Sequence, residues 1–583
     1  KSEPAKIWKQ VISLTGRTAT SNTPKQVKVN NIILEGKELA NAINQYFVNV
    51  AVCDEDSTQY EDETSSCMNS LVLHEVLPEE VYRYIKELKT NVASGYDDVR
   101  VAPVKAVASI LSPVLAYLVN YSFLIGIFPT KLRVAKVTPI HKGGNTTELT
   151  NYRPISVLPV FSKIYEKCIN TRLMKYLEKY NILSPHQYGF RKNKTTEEAL
   201  IDVKSRIIEN IENKMFTLGV FLDLRKAFDS VDHNILLLKL SRYGIRGIVS
   251  DLFKSYLSSR QQFVSIDSKK SDYLSVKKGV PQGSILGPVL FLLYINDITE
   301  VQYTPEIKMF ADDTSIFFTG STIQEVEAST NVYLSKLSGW LTKNKLKLNT
   351  QKTKFIMFRP INKHISDNIV ILFDNQRLEQ VSTQKFLGVW FHEHLTWTPH
   401  VNSLLVDLAR SVGCLSKIAF LLPSWLCKSL YYSMFYSKLL YGMLVWGTTT
   451  KTNYDRILIL QKRALRVIEK YKGHPKDLDT QPLFLKHGIL SARKVYNLKL
   501  MQHIHKHKLQ DSFPRTVSTT YGFRNSTRKT KKTRTNYGKQ AIDYKIIQLL
   551  NLHESNIDFT LKTKQFKCHH KSFLLLTKDI VDP

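Results

Sequence analysis

EIKMFADDTSIFF, at residues 306–318, is a short sequence in which two apolar runs meet at adjacent carboxylates. The β-prone residues on either side predict two short strands folded about Ala311, Asp312 and Asp313. A second β-prone run, TLGVFLDL at 217–224, carries Asp223 near its end. We therefore expect a sheet in which aspartates stand at the ends of the strands.

Adjacent carboxylates in apolar surroundings need a compensating cation. Aromatic residues flank Asp312 and Asp313, and burial would raise the pKa of both unless positive charge lies nearby. Asp223 with Asp312 is the smallest set that could hold two Mg²⁺ ions, with Mn²⁺ as a substitute, because hard cations prefer oxygen ligands. One ion would lower the pKa of an attacking hydroxyl, and the other would stabilise a leaving pyrophosphate. An Asp-Asp pair alone is more often a surface feature, so the prediction depends on the neighbouring segments.

The segments around these carboxylates alternate between strand and helix patterns. VAKVTPIHK at 134–142 alternates as a strand does, and glycines mark a turn at 143–144. GVPQGSILGPVLFLLYINDI at 279–298 is a glycine-rich loop that continues into an apolar helix. Helical patterns cover 81–88 and 104–124. Strands separated by helices, with hairpins among them, predict an α+β sheet domain.

The sequence becomes helical after about residue 396. Apolar residues follow one face of a first helix at 401–415, a second begins near Pro423, and a third covers 453–469. Three basic residues lie on the polar side of the third helix: Lys462, Arg463 and Arg466. The pattern alone allows an ordinary solvated face or a surface that binds nucleic acid. The basic tail between 524 and 539 is predicted to be flexible, and to bind nucleic acid or act as a nuclear import signal.

Charge and cysteine content narrow the class of protein. The 583 residues include 82 Lys and Arg against 51 Asp and Glu, a formal net charge of +31. This excess favours a polyanionic partner, because each neutralised phosphate releases condensed counterions. A basic housekeeping protein or a membrane-surface binder would share the charge. Six cysteines without a CxxC pair argue against a disulfide framework and a zinc ribbon.

The sequence predicts no membrane partner. The apolar stretch at 285–295 is too short to cross a bilayer, and the one at 421–446 is interrupted by Lys428 and Lys438. An acidic patch at 54–63 is expected to belong to a linker or a peripheral extension.

Taken together, the ordered segments resemble the reverse transcriptases of non-LTR retrotransposons, most closely the Jockey-like group. The blocks are NYRPISVLPVFSKIYEK (151–167), QYGFRKNKTTEEAL (187–200), FLDLRKAFDSVDH (221–233), GVPQGSILGPVLFLLYINDI (279–298), MFADDTSIFF (309–318), LSGWLTKNKLKLNTQKTKFIMF (337–358), KFLGVWFHEHLTW (385–397) and LQKRALRVI (460–468). The resemblance covers roughly residues 85–510, and the order of so many blocks makes it very specific. The endonuclease that precedes this region in the family is absent from the sequence, so we expect a fragment of a longer protein.

The resemblance implies a two-metal site for nucleotidyl transfer. By position, Asp223 and Asp312 would ligate both Mg²⁺ ions, and Asp313 would support the site. Lys142 and Arg153 would grip the nucleotide triphosphate, where fixed positive charge offsets the charge that develops during phosphoryl transfer.

Four further residues match positions near the nucleotide or the leaving group. Gln282 would contact the incoming nucleotide, and Gly283 would let the backbone approach closely. Lys352 would protonate pyrophosphate as it leaves. Phe228 stands five positions after Asp223, where an aromatic ring would block a ribose 2′-hydroxyl and select dNTPs.

The same segment leaves rival functions open. Asp223 and Asp229 also satisfy the spacing with which viral RNA-dependent RNA polymerases bind the 2′-hydroxyl, although the FADD hairpin and the NYRPIS block favour reverse transcriptase. We expect Asp229 and Asp232 to cap the following helix. A decayed or domesticated copy that binds RNA without synthesis is a second rival. A telomerase-like or intron-encoded enzyme would be a variant of the same class.

The resemblance implies a right-hand polymerase of the α+β class, with fingers, a palm with an antiparallel sheet, a helical thumb and a basic carboxy-terminal extension. We expect a linker or extension at 1–84, fingers and palm at 85–395, the thumb at 396–480 and the basic region at 481–583. The implied partners are an RNA template, a DNA primer or target DNA, and dNTPs, with the oligomeric state left open. The implied biological reaction is target-primed reverse transcription in the nucleus, after a cytoplasmic ribonucleoprotein stage.

Overall fold

Two five-stranded sheets flanked by helices form the framework of the computed structural model. It describes residues 23–29, 32–49, 67–301, 305–363, 369–513 and 528–577. The predicted acidic patch at 54–63 and Arg524 of the basic tail lie outside these residues.

The strands are β1 (Val27–Val29), β2 (Ile32–Leu34), β3 (Val134–His141), β4 (Tyr152–Val157), β5 (Phe216–Leu222), β6 (Arg260–Ile266), β7 (Lys269–Lys270), β8 (Leu274–Val276), β9 (Glu306–Phe310), β10 (Asp313–Gly320), β11 (Lys354–Phe358), β12 (Leu372–Phe373), β13 (Gln376–Arg377), β14 (Glu379–Gln380), β15 (Thr383–Phe386) and β16 (Val389–His392). The α-helices are α1 (Gly36–Asn49), α2 (Pro78–Glu87), α3 (Val101–Ala106), α4 (Ala108–Ile125), α5 (Val160–Lys179), α6 (Thr196–Glu212), α7 (His233–Arg242), α8 (Ile248–Leu257), α9 (Leu286–Ile295), α10 (Ile323–Lys343), α11 (Thr398–Ile418), α12 (Ser424–Tyr431), α13 (Ser437–Leu440), α14 (Met443–Trp446), α15 (Lys451–Ile468), α16 (Gln481–His487), α17 (Ala492–His507), α18 (Ile542–His553) and α19 (Thr563–Leu576).

The central sheet has the strand order β14–β11–β5–β10–β9, and β5 pairs antiparallel with both β11 and β10. All seven residues of β5 are buried, because both faces of this strand pack in hydrophobic clusters. A strand covered on both faces has a continuous apolar pattern. The β9–β10 hairpin confirms the two strands predicted at 306–318.

The second sheet has the order β4–β3–β6–β7, with β8 paired to β6. Strand β3 is antiparallel to β4 and parallel to β6. Helix α1 packs across β6, β7 and β8, and a small separate core joins them through Ile43, Phe47, Val137 and Val264. The amino-terminal helix is therefore part of this sheet's own core.

Helix α9 is apolar on all sides. Nine of its ten residues are buried, and it packs against α5 and α7. A helix surrounded by other elements needs no polar face. This confirms the apolar helix predicted after the glycine-rich loop.

The helices after residue 398 share a hydrophobic core with one face of the central sheet. Phe221, Phe317 and Phe358 of the sheet belong to the same cluster as Trp446 of α14 and Leu574 of α19. This cluster contains residues from both sides of position 480, so the predicted boundary there does not separate two cores.

The basic tail, which the sequence predicts to be flexible, makes defined contacts between residues 528 and 539. Arg528 is buried and forms a two-pronged ion pair with Glu554. Arg534 donates from Nε to the backbone carbonyl of Glu212 at 3.0 Å. Partners far away in sequence hold this segment, which its local composition does not reveal.

Helix α4 is long and apolar enough to cross a membrane, by length and composition alone. It packs against α2 and α8, and its inner face, with Leu115, Val119 and Phe123, belongs to the main core. Helices that pack on a protein core pass the same test.

Candidate active site

The hairpin between β9 and β10 carries two of the predicted carboxylates. Asp312 lies in the two-residue turn, and Asp313 is the first residue of β10. Ala311 has a φ of +57°, which lies in the left-handed region. This conformation is unfavourable in free energy for any residue that has a side chain. A surrounding contact must therefore hold this turn in place.

Gln187 provides that contact. Its Oε1 accepts hydrogen bonds from the backbone N–H of Ala311 at 3.0 Å and of Gly189 at 2.8 Å. Gly189 packs so closely that a Cβ there would stand 2.5 Å from the nitrogen of Ala311. The QYG sequence thus shapes the carboxylate turn, a role that sequence reasoning missed although it had singled out the block.

Asp223 follows the end of β5 and completes the carboxylate group. Leu222 pairs with Thr314 in the antiparallel ladder, so one further step places Asp223 opposite Asp313. Asn349 donates from Nδ2 to Oδ2 of Asp223 at 3.1 Å and from its backbone N–H to the carbonyl of Asp223 at 2.8 Å. Asn349 is thus a second residue that sequence reasoning missed, because nothing in the local pattern places it beside β5.

The three carboxylates repel one another. Burial and the charges of Asp312 and Asp223 raise the pKa of Asp313 to about 6. Burial raises the pKa of Asp312 above its ordinary value, Asp223 raises it further, and the charge of Arg153 opposes the rise. This end of the sheet therefore stabilises positive charge.

The three carboxylates suit Mg²⁺, provided that substrate supplies the remaining ligands. Among the residues that the structure describes, no three His, Cys, Asp or Glu side chains form a ready-made metal centre. Mg²⁺ in nucleotide-processing sites takes one or two carboxylates and fills its shell with water and substrate phosphates. Asp223, Asp312 and Asp313 offer only oxygen atoms, the ligands that this cation prefers.

The cationic residues come from the β3–β4 hairpin. Lys142 follows β3 and donates its backbone N–H to the carbonyl of Asn151 at 2.8 Å, while Arg153 pairs with Ile140 inside the ladder. Loss of solvent contact and then the charge of Arg153 lower the pKa of Lys142. Two cations held together in this way favour a polyanionic ligand.

The loop at 279–283 forms hydrogen bonds both with strand β4 of the β3–β4 hairpin and with the segment that follows Asp223. Val280 donates its backbone N–H to the carbonyl of Phe228 at 3.0 Å, and Ser156 of β4 donates its own to the carbonyl of Gln282 at 2.8 Å. Gly283 has a φ of +122°, and a Cβ there would stand 2.5 Å from the carbonyl oxygen of Ser156. Gly283 thus allows the backbone of this loop to pack closely against β4.

Glu166 fixes the far end of the same loop. This buried carboxylate accepts hydrogen bonds from the backbone N–H of Ile285 at 2.5 Å and of Leu286 at 3.3 Å. Backbone N–H groups at the start of a helix such as α9 have no partner within the helix, and the helix dipole favours a carboxylate there. Sequence reasoning also missed Glu166, because a glutamate within a helical pattern suggests a solvated face.

Phe228 is half-buried, and its ring stacks on Phe291 of α9 with centroids 4.3 Å apart. It therefore has a packed core side, and its role as a sugar gate stays a prediction.

The two aspartates that were expected to cap α7 behave differently. Asp232 is the cap, since its Oδ1 accepts from the backbone N–H of Asn234 and Ile235. Asp229 is not, which corrects the prediction: its Oδ1 accepts a hydrogen bond from Nε2 of Gln282 at 2.8 Å. The turn before α7 points the earlier carboxylate at the glycine-rich loop instead.

The other predicted residues divide between two places. Lys352 is exposed in the turn before β11, and its charge contributes to lowering the pKa of Lys142. Lys462, Arg463 and Arg466 lie on α15, a helix of the carboxy-terminal cluster. Arg466 donates to the carbonyl of Pro475 at 2.8 Å and so also has a role within the protein.

Comparison with known proteins adds a family. Residues 140–391 match the model described as "Reverse transcriptase (RNA-dependent DNA polymerase)". That range includes every predicted metal and nucleotide residue, and leaves α1 and α15 outside it.

Three relatives come from Drosophila melanogaster. The chain is 30% identical over 429 residues to "Probable RNA-directed DNA polymerase from transposon BS", covering 68% of this chain and 45% of that protein. It is 30% identical over 484 residues to "RNA-directed DNA polymerase from mobile element jockey", covering 79% and 52%. It is 29% identical over 406 residues to "Probable RNA-directed DNA polymerase from transposon X-element", covering 67% and 44%. The chain thus spans about half the length of these relatives.

A solved structure of apo telomerase from Candida tropicalis matches 69% of this chain and 72% of its own, with a TM-score of 0.36 and 11% identity. The match to the family and the relatives agree with each other. Residues 140–391 therefore form a reverse transcriptase domain, and the chain is similar to RNA-directed DNA polymerases of non-LTR transposable elements such as jockey and BS.

Proposed function

We propose that the protein is an RNA-directed DNA polymerase that transfers a deoxynucleotide from a dNTP to the 3′ end of a DNA primer on an RNA template. The observation that carries the proposal is the convergence of three carboxylates at one sheet end with a cationic hairpin and the Gln282 loop beside them. Charges of both signs at this spacing suit a triphosphate bound through metal ions.

In this proposal the protein has the right-hand arrangement of polymerases. The central sheet is the palm, the β3–β4–β6 sheet belongs to the fingers, and together they occupy 85–395. The helices at 396–480 form the thumb, and 481–583 form the basic carboxy-terminal region. Residues 1–84 are an amino-terminal extension.

Asp223 and Asp312 would hold two Mg²⁺ ions, or Mn²⁺ as a substitute, with Asp313 in support. When bound, the metals would lower the pKa of the primer 3′-hydroxyl and neutralise charge on the departing pyrophosphate. Lys142 and Arg153 hold the phosphates by fixed charge.

The remaining residues select the nucleotide and complete the proton transfer. Gln282 contacts the nucleotide, and Gly283 keeps its loop against β4. The ring of Phe228 excludes a ribose 2′-hydroxyl, and Lys352 donates a proton from Nζ to pyrophosphate.

Template and primer are held largely through their backbones. The net charge of +31 supports this contact, and we assign Lys462 and Arg463 of α15 to it, with a smaller share for Arg466. The biological reaction would be target-primed reverse transcription in the nucleus.

Primer extension tests the proposal directly. A DNA primer annealed to an RNA template is incubated with dNTPs, Mg²⁺ and either the wild type or the Asp312→Ala, Asp313→Ala double variant. We expect extension by the wild type and a loss of at least about a thousandfold in the variant, since each removed group stabilises the transition state by several kcal/mol. The matched control is Asp543→Ala, an exposed aspartate of α18.

Tight template binding without extension by the wild type would contradict the proposal. It would favour a protein that binds RNA and no longer synthesises DNA.

A further inference from the structure

The carboxylate of Asp229 accepts a hydrogen bond from the side chain of Gln282. Its Oδ1 lies 2.8 Å from Nε2 of that side chain. An ionised carboxylate can only accept hydrogen bonds, so it fixes which end of the amide faces it. The Nε2 group of Gln282 is held on Asp229, and Oε1 is left to face the other way.

Lys226 and Tyr46 lie next to this pair in the chain fold, since Asp229 donates its backbone N–H to the carbonyl of Lys226 at 2.9 Å. Nζ of Lys226 donates to the hydroxyl of Tyr46 at 2.8 Å and lies 4.0 Å from the centre of the tyrosine ring. Burial raises the pKa of Asp229 to about 6, and the hydrogen bond from Gln282 and then the charge of Lys226 oppose the rise; burial and then the charge of Asp229 raise the pKa of Tyr46. The backbone of Lys226 has a φ of +46°, a strained conformation that such contacts help to maintain.

Tyr46 belongs to α1, which is fixed on the second sheet by a buried polar cluster. Asn44 donates from Nδ2 to Oγ of Ser271 at 3.1 Å and to the carbonyl of Asp272 at 2.9 Å, and Gln262 donates from Nε2 to Oδ1 of Asn44 at 3.0 Å. A buried, satisfied network of this kind specifies one position of a helix.

Helix α1 also closes the space behind the Gln282 loop. A cavity of about 40 Å³ lies there, lined by Phe47 and Val48 of α1 and by Ser156, Asp229 and Gln282. The cavity has room for a water molecule or two and not for a nucleotide. The helix therefore supports the loop from behind.

We propose that Asp229 is a positioning residue that orients Gln282 toward the incoming nucleotide, and that α1 holds this pair through Tyr46 and Lys226. The inference rests on the proposed function and deepens it. It makes the amino-terminal helix, outside the region matched to the family, a functional part of the nucleotide site. It also replaces the RNA-polymerase interpretation of Asp229, in which the carboxylate binds a ribose hydroxyl.

Equilibrium binding of a templated dNTP provides the test. The full chain is bound to an RNA template and a DNA primer that lacks a 3′-hydroxyl, so affinity is measured without chemistry. We expect Gln282→Ala and Asp229→Asn each to weaken binding by about tenfold, which corresponds to about 1.4 kcal/mol. Tyr46→Phe, which removes one hydroxyl, should weaken it by about threefold, within the range of one hydrogen bond.

The decisive variant is the double change Asp229→Asn, Gln282→Ala. If Asp229 acts through Gln282, the double variant binds dNTP no more weakly than Gln282→Ala alone. Additive losses would overturn the inference, because Asp229 would then contact the nucleotide by itself. A change in the ratio of dNTP to NTP affinity in Asp229→Asn would do the same in favour of ribose recognition.

Two controls separate the possible failures. Tyr121→Phe alters a half-exposed tyrosine of α4 and should leave binding unchanged, and thermal unfolding of each variant detects loss of fold. A wild type that binds dNTP but does not extend an ordinary primer contradicts the proposed polymerase and leaves the positioning result standing. A wild type that binds no dNTP contradicts both.

Discussion

At the scale of single residues, Phe228 is constrained by its two neighbours. Its ring stacks on Phe291, and its carbonyl accepts the hydrogen bond from Val280 that holds the Gln282 loop. Rotation of the ring would cost the aromatic contact, about 0.5–1.5 kcal/mol, so the stacking favours one position of the ring. The steric role proposed for it therefore depends on a packed position.

Phe228→Ala should relax sugar selection. Removing the ring opens space for a 2′-hydroxyl, and we expect the ratio of kcat/KM for dNTP to that for NTP to fall by at least about tenfold. The measurement is single-nucleotide primer extension with each substrate. Phe420→Ala, which changes an exposed ring between α11 and α12, is the control for a general loss of activity. An unchanged ratio in an active Phe228→Ala protein would argue for the RNA-polymerase rival.

Residue partners were the least predictable feature from sequence. The carboxylates themselves were identified, because β-prone apolar runs lead up to them and predict strands that end there. Asn349 donates to the carboxylate of Asp223 from 126 positions away in sequence, and Gln187 accepts from the backbone N–H of Ala311, beside Asp312, from 124 positions away. Asp229 was assigned to a helix cap because the rule for caps is local, whereas its actual partner is Gln282.

At the scale of elements, the sheet end formed by β5, β9 and β10 concentrates negative charge. Burial and the neighbouring aspartates raise the pKa of Asp313 to about 6, compared with about 4 in an unfolded chain. The folded protein therefore binds a proton at Asp313 more tightly than the unfolded chain does. The contribution of this proton to stability is present at low pH and is lost as pH rises from about 4 through about 6.

Asp313→Asn should stabilise the metal-free protein near neutral pH. Thermal unfolding in a chelator, measured between pH 4.5 and 7.5 (approximate limits set by these pKa values), should give a higher Tm for the variant above pH 6, and the two curves should converge toward the acidic end. Added Mg²⁺ should raise the Tm of the wild type at pH 7 more than that of the variant. Asp229 titrates in a similar range but is present in both proteins, so it cancels in the difference. Parallel curves would contradict the expected repulsion.

Helices and strands were predicted correctly where the hydrophobic period of the sequence was clear. They were missed where contacts between distant parts of the chain determine the structure. The β9–β10 hairpin, the apolar α9 and the amphipathic α15 follow from local patterns. The ordered tail does not, since Arg534 bonds to Glu212, 322 positions earlier in the chain. Composition alone made that segment resemble a flexible tail.

At the scale of the whole molecule, the net charge of +31 would govern the contacts with template and primer that we propose. Charge of this size makes binding dependent on salt, with a slope that reflects the number of phosphates contacted. Lys462 and Arg463 lie on the polar side of α15, whereas Arg466 is partly used inside the protein.

Lys462→Ala with Arg463→Ala should reduce that slope. We expect the plot of log Kd against log salt for an RNA–DNA primer-template to lose about one to two units of slope, roughly 0.7–0.9 for each lost phosphate contact. Lys564→Ala with Lys567→Ala removes two exposed charges from α19 and serves as the matched control. Equal slopes for the two double variants would mean that α15 has no privileged contact with the duplex.

The core shared by the central sheet and the last helices has a consequence for synthesis of the protein on the ribosome. The sheet face that carries Phe221, Phe317 and Phe358 is covered by a cluster that extends to Leu574. A nascent chain that has emerged only as far as β16 already contains Asp223, Asp312 and Asp313, yet only α6 and the β15–β16 hairpin cover this face of its sheet, because the helices from α11 onward are still missing. Such a chain must wait for nearly two hundred further residues, about ten to forty seconds of translation, before that face is sealed. A chain that terminates within this interval would leave apolar side chains of this face exposed, so we expect it to be less soluble than a chain that extends through α19.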